Sequence, residues 1–183
     1  MNDNAASMVL GSFIGDSLAL GVHWIYDQAQ IKREHGRVAS LKAPGPGSYH
    51  PGKGAGHLTH YGDQALVLLE SIAFSGRFDL ADFAARWRAM FEGGYTGYVD
   101  RATRNTLSQL AAGWDFSDAG SVSDELAGAA RMAPVVYALR GDPEAMVAAC
   151  RAQTTTTHNN QKVADAAEFF ARTAQAALPG TPP

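Results

Sequence analysis

The sequence predicts an all-α protein, a single orthogonal bundle of about seven helices, on three observations. Apolar residues recur at helical spacing in segment after segment, acids and prolines stand where helices should begin, and no convincing pair of strand patterns occurs. At 183 residues and 46% hydrophobic, the chain can bury one sizeable core, so a single domain over residues 1–183 is expected.

Residues 5 to about 24 read as a nearly all-apolar helix, with Leu10, Ile14 and Leu18 on one face and Val9 and Phe13 beside them. Apolar on more than one side, it is expected at the centre of the bundle. Gly11 and Gly15, four apart, would let another helix approach closely. Asp16 interrupts this apolar run, so it must either hold loop N–H groups or line a site, and the second reading is preferred. After Tyr26-Asp27 the chain turns polar, and residues 43–56, with five glycines and three prolines, are a loop. Residues 47–54 imitate a phosphate-binding loop as far as Lys53. Gly54 then stands where a magnesium-binding hydroxyl is needed and no buried strand precedes, so the match is read as a decoy, although its N–H groups can cradle an anion.

Helices follow over residues 64–74, with Leu66, Leu69, Ile72 and Ala73 as the stripe, and from a cap at Asp79 through 91, with Phe83, Trp87 and Met90. The glycine-rich link after Glu92 carries Tyr95 and Tyr98, which either stack on a planar ligand or close over the core. Asp100 opens a helix that buries Leu107 and Leu110 and stops at Gly113. Ser121 or Ser123 is expected to cap the next, which carries Leu126, Met132 and Val136 and kinks or restarts at Pro134. Asp142-Pro143-Glu144 starts a helix to about residue 152 with Met146, Val147 and Cys150 inward; Cys150, lacking a nearby base, reads as core. The threonines 154–157 break helicity, and His158-Asn159-Asn160 opens a last helix through 177, with Val163, Ala167, Phe170 and Ala174 on one face.

A net charge of -3 with fifteen scattered Lys and Arg gives no footprint for nucleic acid. One cysteine excludes an internal disulfide framework and suits a reducing compartment. No run is long and apolar enough to span a bilayer and no basic residue precedes Lys32, so a cytoplasmic protein without a membrane partner is expected.

The chemistry is placed in residues 56–70, where a glycine-rich loop turns into an apolar helix. His50, His57 and His60 lie in or just before it, and Asp63 falls near the expected helix start, where the dipole favours a carboxylate. Asp63 is at least a cap; with His60 it is also the nearest acid and base pair.

Gly11-Ser-Phe-Ile-Gly-Asp16, His23-Trp24-Ile-Tyr26, Thr59-His-Tyr-Gly-Asp63-Gln64, Gly97-Tyr98-Val-Asp100 and Gly128-Ala-Ala-Arg131-Met-Ala-Pro134, with Thr157-His158, together resemble the ADP-ribosylglycohydrolase superfamily. Within it, the His-Trp-Ile-Tyr and Thr-His-Tyr-Gly-Asp-Gln segments are most similar to the J-type crystallin branch, to which selenoprotein J also belongs. The resemblance implies an all-α fold with paired Mg²⁺ or Mn²⁺ ions in a cleft where ADP-ribose is cleaved from an acceptor. It assigns metal binding to Thr59 and Asp63, catalysis to Asp63 with His60, and substrate contacts to Asp16, His23, Tyr98, Arg131, His158 and Asn159. Arg131 is expected to meet a phosphate or a buried acid, and His158 with Asn159 to line the rim.

Three departures stand against full activity. Active relatives read Thr-Asp-Asp-Thr where, aligned on Gln64-Ala-Leu, this chain has Tyr61-Gly62-Asp63-Gln64; His23 replaces a glutamate; and the family's C-terminal Asp-x-Asp-Thr has no counterpart. The chain therefore reads as stopping before the family's last helices or as a short member. The alternative is a non-catalytic ADP-ribose-binding or structural, crystallin-like protein. Helix faces left uncovered by a shortened chain would favour a homo-oligomer.

Overall fold

Side-chain caps decide where most of the helices begin. The computed structural model describes residues 3–180, and among these are nine helices and no strand: α1 (Asn4–Leu20), α2 (Gln28–Glu34), α3 (His60–Ser75), α4 (Leu80–Glu92), α5 (Arg101–Ala111), α6 (Ala127–Ala130), α7 (Ala133–Leu139), α8 (Pro143–Thr155) and α9 (Gln161–Ala177). Asp3, Asp27, Thr59, Asp79, Asp100, Asp142 and Asn160 each accept backbone N–H groups at a helix start, which satisfies donors that the helix itself leaves unpaired.

The all-helical expectation holds, with corrections at the ends. α3 begins at His60 on a Thr59 cap, so Asp63 lies inside the first turn and is not the cap. The short α2 was not expected; Asp27 was its signal. Pro134 does restart the chain, separating α6 from α7. Ser123 caps no helix: its hydroxyl accepts the Glu125 N–H, and α6 starts without a side-chain cap.

The core lies where α3, α4, α7 and α8 meet, around Leu68, Ile72, Phe83, Trp87, Val135, Val136, Met146 and Cys150. Each fully buried large side chain here contributes about 1.5–3 kcal/mol. On α3 the inner stripe is Ala65, Leu68 and Ile72, which turns Leu66 outward. α9 packs closely on α8 and also on α6, with Val163 and Ala167 against Ala129 and Ala171 in the main core, and Phe170 points largely outward beside Phe169.

α1 is not central. It packs on α7 and α3 through one side, burying Ala5, Val9 and Leu20, whereas Leu10 and Ile14 are each 62% exposed. Gly11 and Gly15 face open space. No helix of the described residues is long and apolar enough to cross a membrane.

Candidate functional site

The opening turn of α3 is anchored by α1. Asp16 accepts the Thr59 N–H at 2.7 Å and the Thr59 hydroxyl at 2.6 Å, while Thr59 Oγ1 accepts the Tyr61 N–H. Burial raises the Asp16 pKa, the Thr59 bonds lower it less, and the nearby Asp63 adds to the rise. Gly62 has no room for a side chain, since a Cβ there would lie 2.7 Å from Asp16 Cγ. Of the two roles open to Asp16, the structure displays the bracing one, and its carboxylate also borders a small cavity of about 200 Å³ between α1 and α3.

Asp63, the next residue along the first turn of α3 after Gly62, faces the other way. Its carboxylate takes Lys53 Nζ at 2.6 Å and the Tyr95 hydroxyl, with 18% of the side chain exposed. It lines a cavity of about 460 Å³ between α3 and α4, together with Lys53, Val67, Arg86, Met90 and Tyr95, a size in the range of small-ligand pockets. Burial, and then the bond to Asp63, push the Tyr95 phenol upward. Lys53, the lysine of the discounted phosphate-loop match, is thus a site residue, and Tyr95 is another.

His60 does not pair with Asp63 as expected. Its Nε2 stands 3.5 Å from Asp100 Oδ2, an ion-pair distance too long and misdirected for a hydrogen bond. Burial works against the Asp100 charge, but the His60 ring and the Thr103 N–H outweigh it and hold the carboxyl low. Around His60 gather His23, from the turn after α1, and His50, from the long loop; His23 Nδ1 and His50 Nε2 are 2.6 Å apart with rings 15° from coplanar. Trp24 lies against His23 and His50, and Tyr98 packs edge-on against Trp24 and His60. Trp24 adopts a left-handed backbone, φ 65°, a conformation that costs a non-glycine residue roughly 1–2 kcal/mol. Burial, then the neighbouring imidazoles, lower His23 and His50 to about 4 each, so both rings are neutral at pH 7.

His57 is exposed and accepts the Gly54 N–H. Trp24, Tyr26, Tyr49, Tyr98 and Glu125 frame a further hollow of about 270 Å³.

Two expected substrate residues lie elsewhere. Arg131 is buried away from the cavities and bonds to no acid: Nε donates to Gln153 Oε1, Nη1 to Gln64 Oε1, and Nη2 to the Gln153 carbonyl and Thr157 Oγ1. Gln64 Oε1 also accepts the indole N–H of Trp87, so this polar network ties α3, α4, α6 and α8 together under the site. Asp16 is not its partner. His158 is buried too, with Nδ1 2.9 Å from Thr157 Oγ1, and does not reach a rim; Asn159 is exposed, and Asn160 caps α9.

The oxygen ligands that Mg²⁺ or Mn²⁺ requires do not converge here. About six oxygens are needed, yet Thr59 Oγ1 is spent on Asp16 and Tyr61, and Asp63 Oδ2 on both Lys53 and Tyr95, which leaves Asp63 Oδ1 far short of such a set. An ammonium 2.6 Å from the carboxylate stands where a hard cation would bind. Among the described residues, the group that could hold a metal is His23, His50 and His60.

These features define an all-helical protein whose loops gather at the opening turn of one helix, with a carboxylate on one side and imidazoles on the other. The sequence model of the ADP-ribosylglycohydrolase family matches residues 1–183, and the chain belongs to that family. A solved structure described as an ADP-ribosylglycohydrolase-related protein complex superposes with TM-score 0.78 at 28% identity, over 98% of this chain and 58% of that one. An uncharacterised protein of Archaeoglobus fulgidus is 28% identical over 135 residues, 74% of this chain and 43% of its own length. The chain thus spans about half the length of these relatives.

Proposed function

We propose that the chain takes up an ADP-ribosyl group and hydrolyses its glycosidic bond at Asp63. The carrying observation is that Asp63, in the first turn of α3, is ion-paired by Lys53 and hydrogen-bonded by Tyr95 at the wall of the 460 Å³ cavity. In this reading a water oxygen bonds to the anomeric carbon while the bond to the acceptor breaks and its electron pair leaves with the acceptor. Asp63 accepts the water's proton and stabilises the positive ribosyl centre of the transition state. Lys53 and Tyr95, on the same carboxylate, relay a proton to the departing acceptor. The Trp24, Tyr49 and Tyr98 faces supply stacking for adenine. No step runs through Mg²⁺ or Mn²⁺.

The test is release of ADP-ribose from an ADP-ribosylated peptide without added metal, followed by mass spectrometry. Release by the wild type and not by Asp63→Asn supports the reading. Release that requires Mg²⁺ refutes the metal-free step.

One observation favours a second reading, an ADP-ribose-binding, crystallin-like protein without turnover: the Asp63 carboxylate already has both an ammonium and a phenol as partners. Calorimetric binding of ADP-ribose with no release would select it.

A further inference from the structure

We propose that His23, His50 and His60 form a binding site for one borderline-soft transition metal ion of the Zn²⁺ class. The turn after α1, the long loop and the start of α3 bring one nitrogen each to within 4.8 Å of the others. Chance clustering of imidazoles would leave each ring satisfied by its own neighbours, and here they are not. His50 and His60 are each 1% exposed, yet His50 Nδ1 and both nitrogens of His60 lack a hydrogen-bond partner among the described residues. Buried polar nitrogens without partners are rare, because each carries the full loss of its hydration. A metal removes that penalty at His60 by taking the lone pair of one ring nitrogen.

The chemistry of the donors selects the ion. Neutral imidazole suits Zn²⁺, Co²⁺, Ni²⁺ and Cu²⁺, whereas Mg²⁺ and Mn²⁺ favour oxygen. Asp100, 3.5 Å from His60 Nε2 and capping α5, makes no hydrogen bond to the ring here, but a small rotation of His60 onto a metal through Nδ1 would bring the two into one and orient the imidazole from behind.

The metal-free geometry is close to the bound one. His23 Nδ1 and His50 Nε2, now 2.6 Å apart, share one proton in a nearly in-plane contact. Binding moves that proton to an outer nitrogen and opens the pair to roughly 3.3 Å, the separation set by Zn–N bonds of about 2.0–2.1 Å in a tetrahedron. His23 sits in the turn after α1 and His50 in a long loop, so the pair can part without disturbing a helix. Three protein nitrogens leave a fourth position for water or an anionic group. The bound ion would clamp the loop onto α3, whatever the chain does at Asp63.

The test is titration of the purified, chelator-stripped full chain with Zn²⁺ by calorimetry and with Co²⁺ by visible absorption. One equivalent of Zn²⁺ and the d–d bands of a tetrahedral Co²⁺ site are expected. His23→Gln, a half-buried position that should fold, and His50→Gln are each expected to lose at least 100-fold in affinity. Asp100→Asn is expected to lose 10- to 100-fold. His57→Gln, outside the cluster, should change nothing. Binding of less than one equivalent, affinity unchanged in a folded His23→Gln chain, or equal loss in His57→Gln would each overturn the proposal.

Discussion

Asp16→Ala removes the brace between α1 and the opening of α3, and its effect can be worked from two bonds. The carboxylate accepts the Thr59 N–H at 2.7 Å and its hydroxyl at 2.6 Å. Hydrogen bonds to an ionised group are worth about 1.5–3 kcal/mol each, so the gross loss is about 3–6 kcal/mol. Part returns, because the raised pKa shows that burial beside Asp63 penalises the Asp16 charge more than Thr59 compensates it. The expected net destabilisation is about 2–4 kcal/mol. Asp16→Asn should be milder, about 1–2 kcal/mol, since an amide oxygen still accepts the Thr59 N–H while the hydroxyl loses its acceptor. Urea denaturation gives the free energies, and amide exchange at Thr59 reports the local loss. Gly62→Ala forces the same carboxylate aside through the 2.7 Å approach of a Cβ to Asp16 Cγ. Its effect should therefore not add to that of Asp16→Ala. An Asp16→Ala chain within 1 kcal/mol of wild type, with Thr59 as protected as before, refutes the bracing argument.

Burial, then Arg131, lower His158 to about 4 in the folded state against 6.5 for the ordinary side chain. Between those values the unfolded chain binds more protons, so stability falls as pH drops from about 6.5 to about 4, by up to about 3 kcal/mol for this residue. His23 and His50 contribute in the same window, so the slope of the denaturation midpoints should fall by about a third in His158→Gln, and an unchanged slope contradicts the assignment. Burial pulls the Arg131 pKa down, but a guanidinium held by four oxygens stays protonated. Arg131→Met is expected to cost about 3–5 kcal/mol in urea, because it leaves buried oxygens of Gln64, Gln153 and Thr157 short of donors, and a loss below 1 kcal/mol would show the network to be dispensable. Leu10 and Ile14, each 62% exposed beside two bare glycines, should drive self-association visible by sedimentation at micromolar concentration; Leu10→Glu with Ile14→Glu should abolish it, and a monomeric wild type counts against this. At Gly97 a Cβ would fall 2.8 Å from Tyr95 Cε1, so Gly97→Ala should displace the hydroxyl from Asp63 and cost about 1–2 kcal/mol. Tyr95→Phe should then add little to it in a double-mutant cycle, and full additivity breaks the link.

Most of the longer helices were legible from local signals, although Asp27, the signal of α2, went unread. Asp79, Asp100 and the Asp142-Pro143 pair cap the helices they were expected to cap, because capping is settled within three or four residues. α1 was misplaced because periodicity shows that a helix has an apolar face but not whether anything covers it. The same limit hid the fate of Arg131: its motif could be read, but its partners come from residues 64, 153 and 157, far along the chain. At the candidate site, Asp16 was singled out by the break it makes in an apolar run, and Asp63 and His60 by their place where a glycine-rich loop opens into a helix. Lys53 was discounted as half of a motif, Asp100 was taken as a cap alone, and Trp24 gave no sign of its left-handed backbone.

The link between α4 and α5 is what makes one site of these pieces. Its first half carries Tyr95 to Asp63, and its end carries Tyr98 against His60 and Asp100 beneath it. His60 and Asp63 are three residues apart on α3, near neighbours on the helix surface, yet they serve different partners because this link meets the first turn twice. Charge is therefore settled separately on the two sides. Lys53 answers the carboxylate on one, whereas on the other three imidazoles gather beside a single buried acid, and that corner is where the proposed metal ion binds.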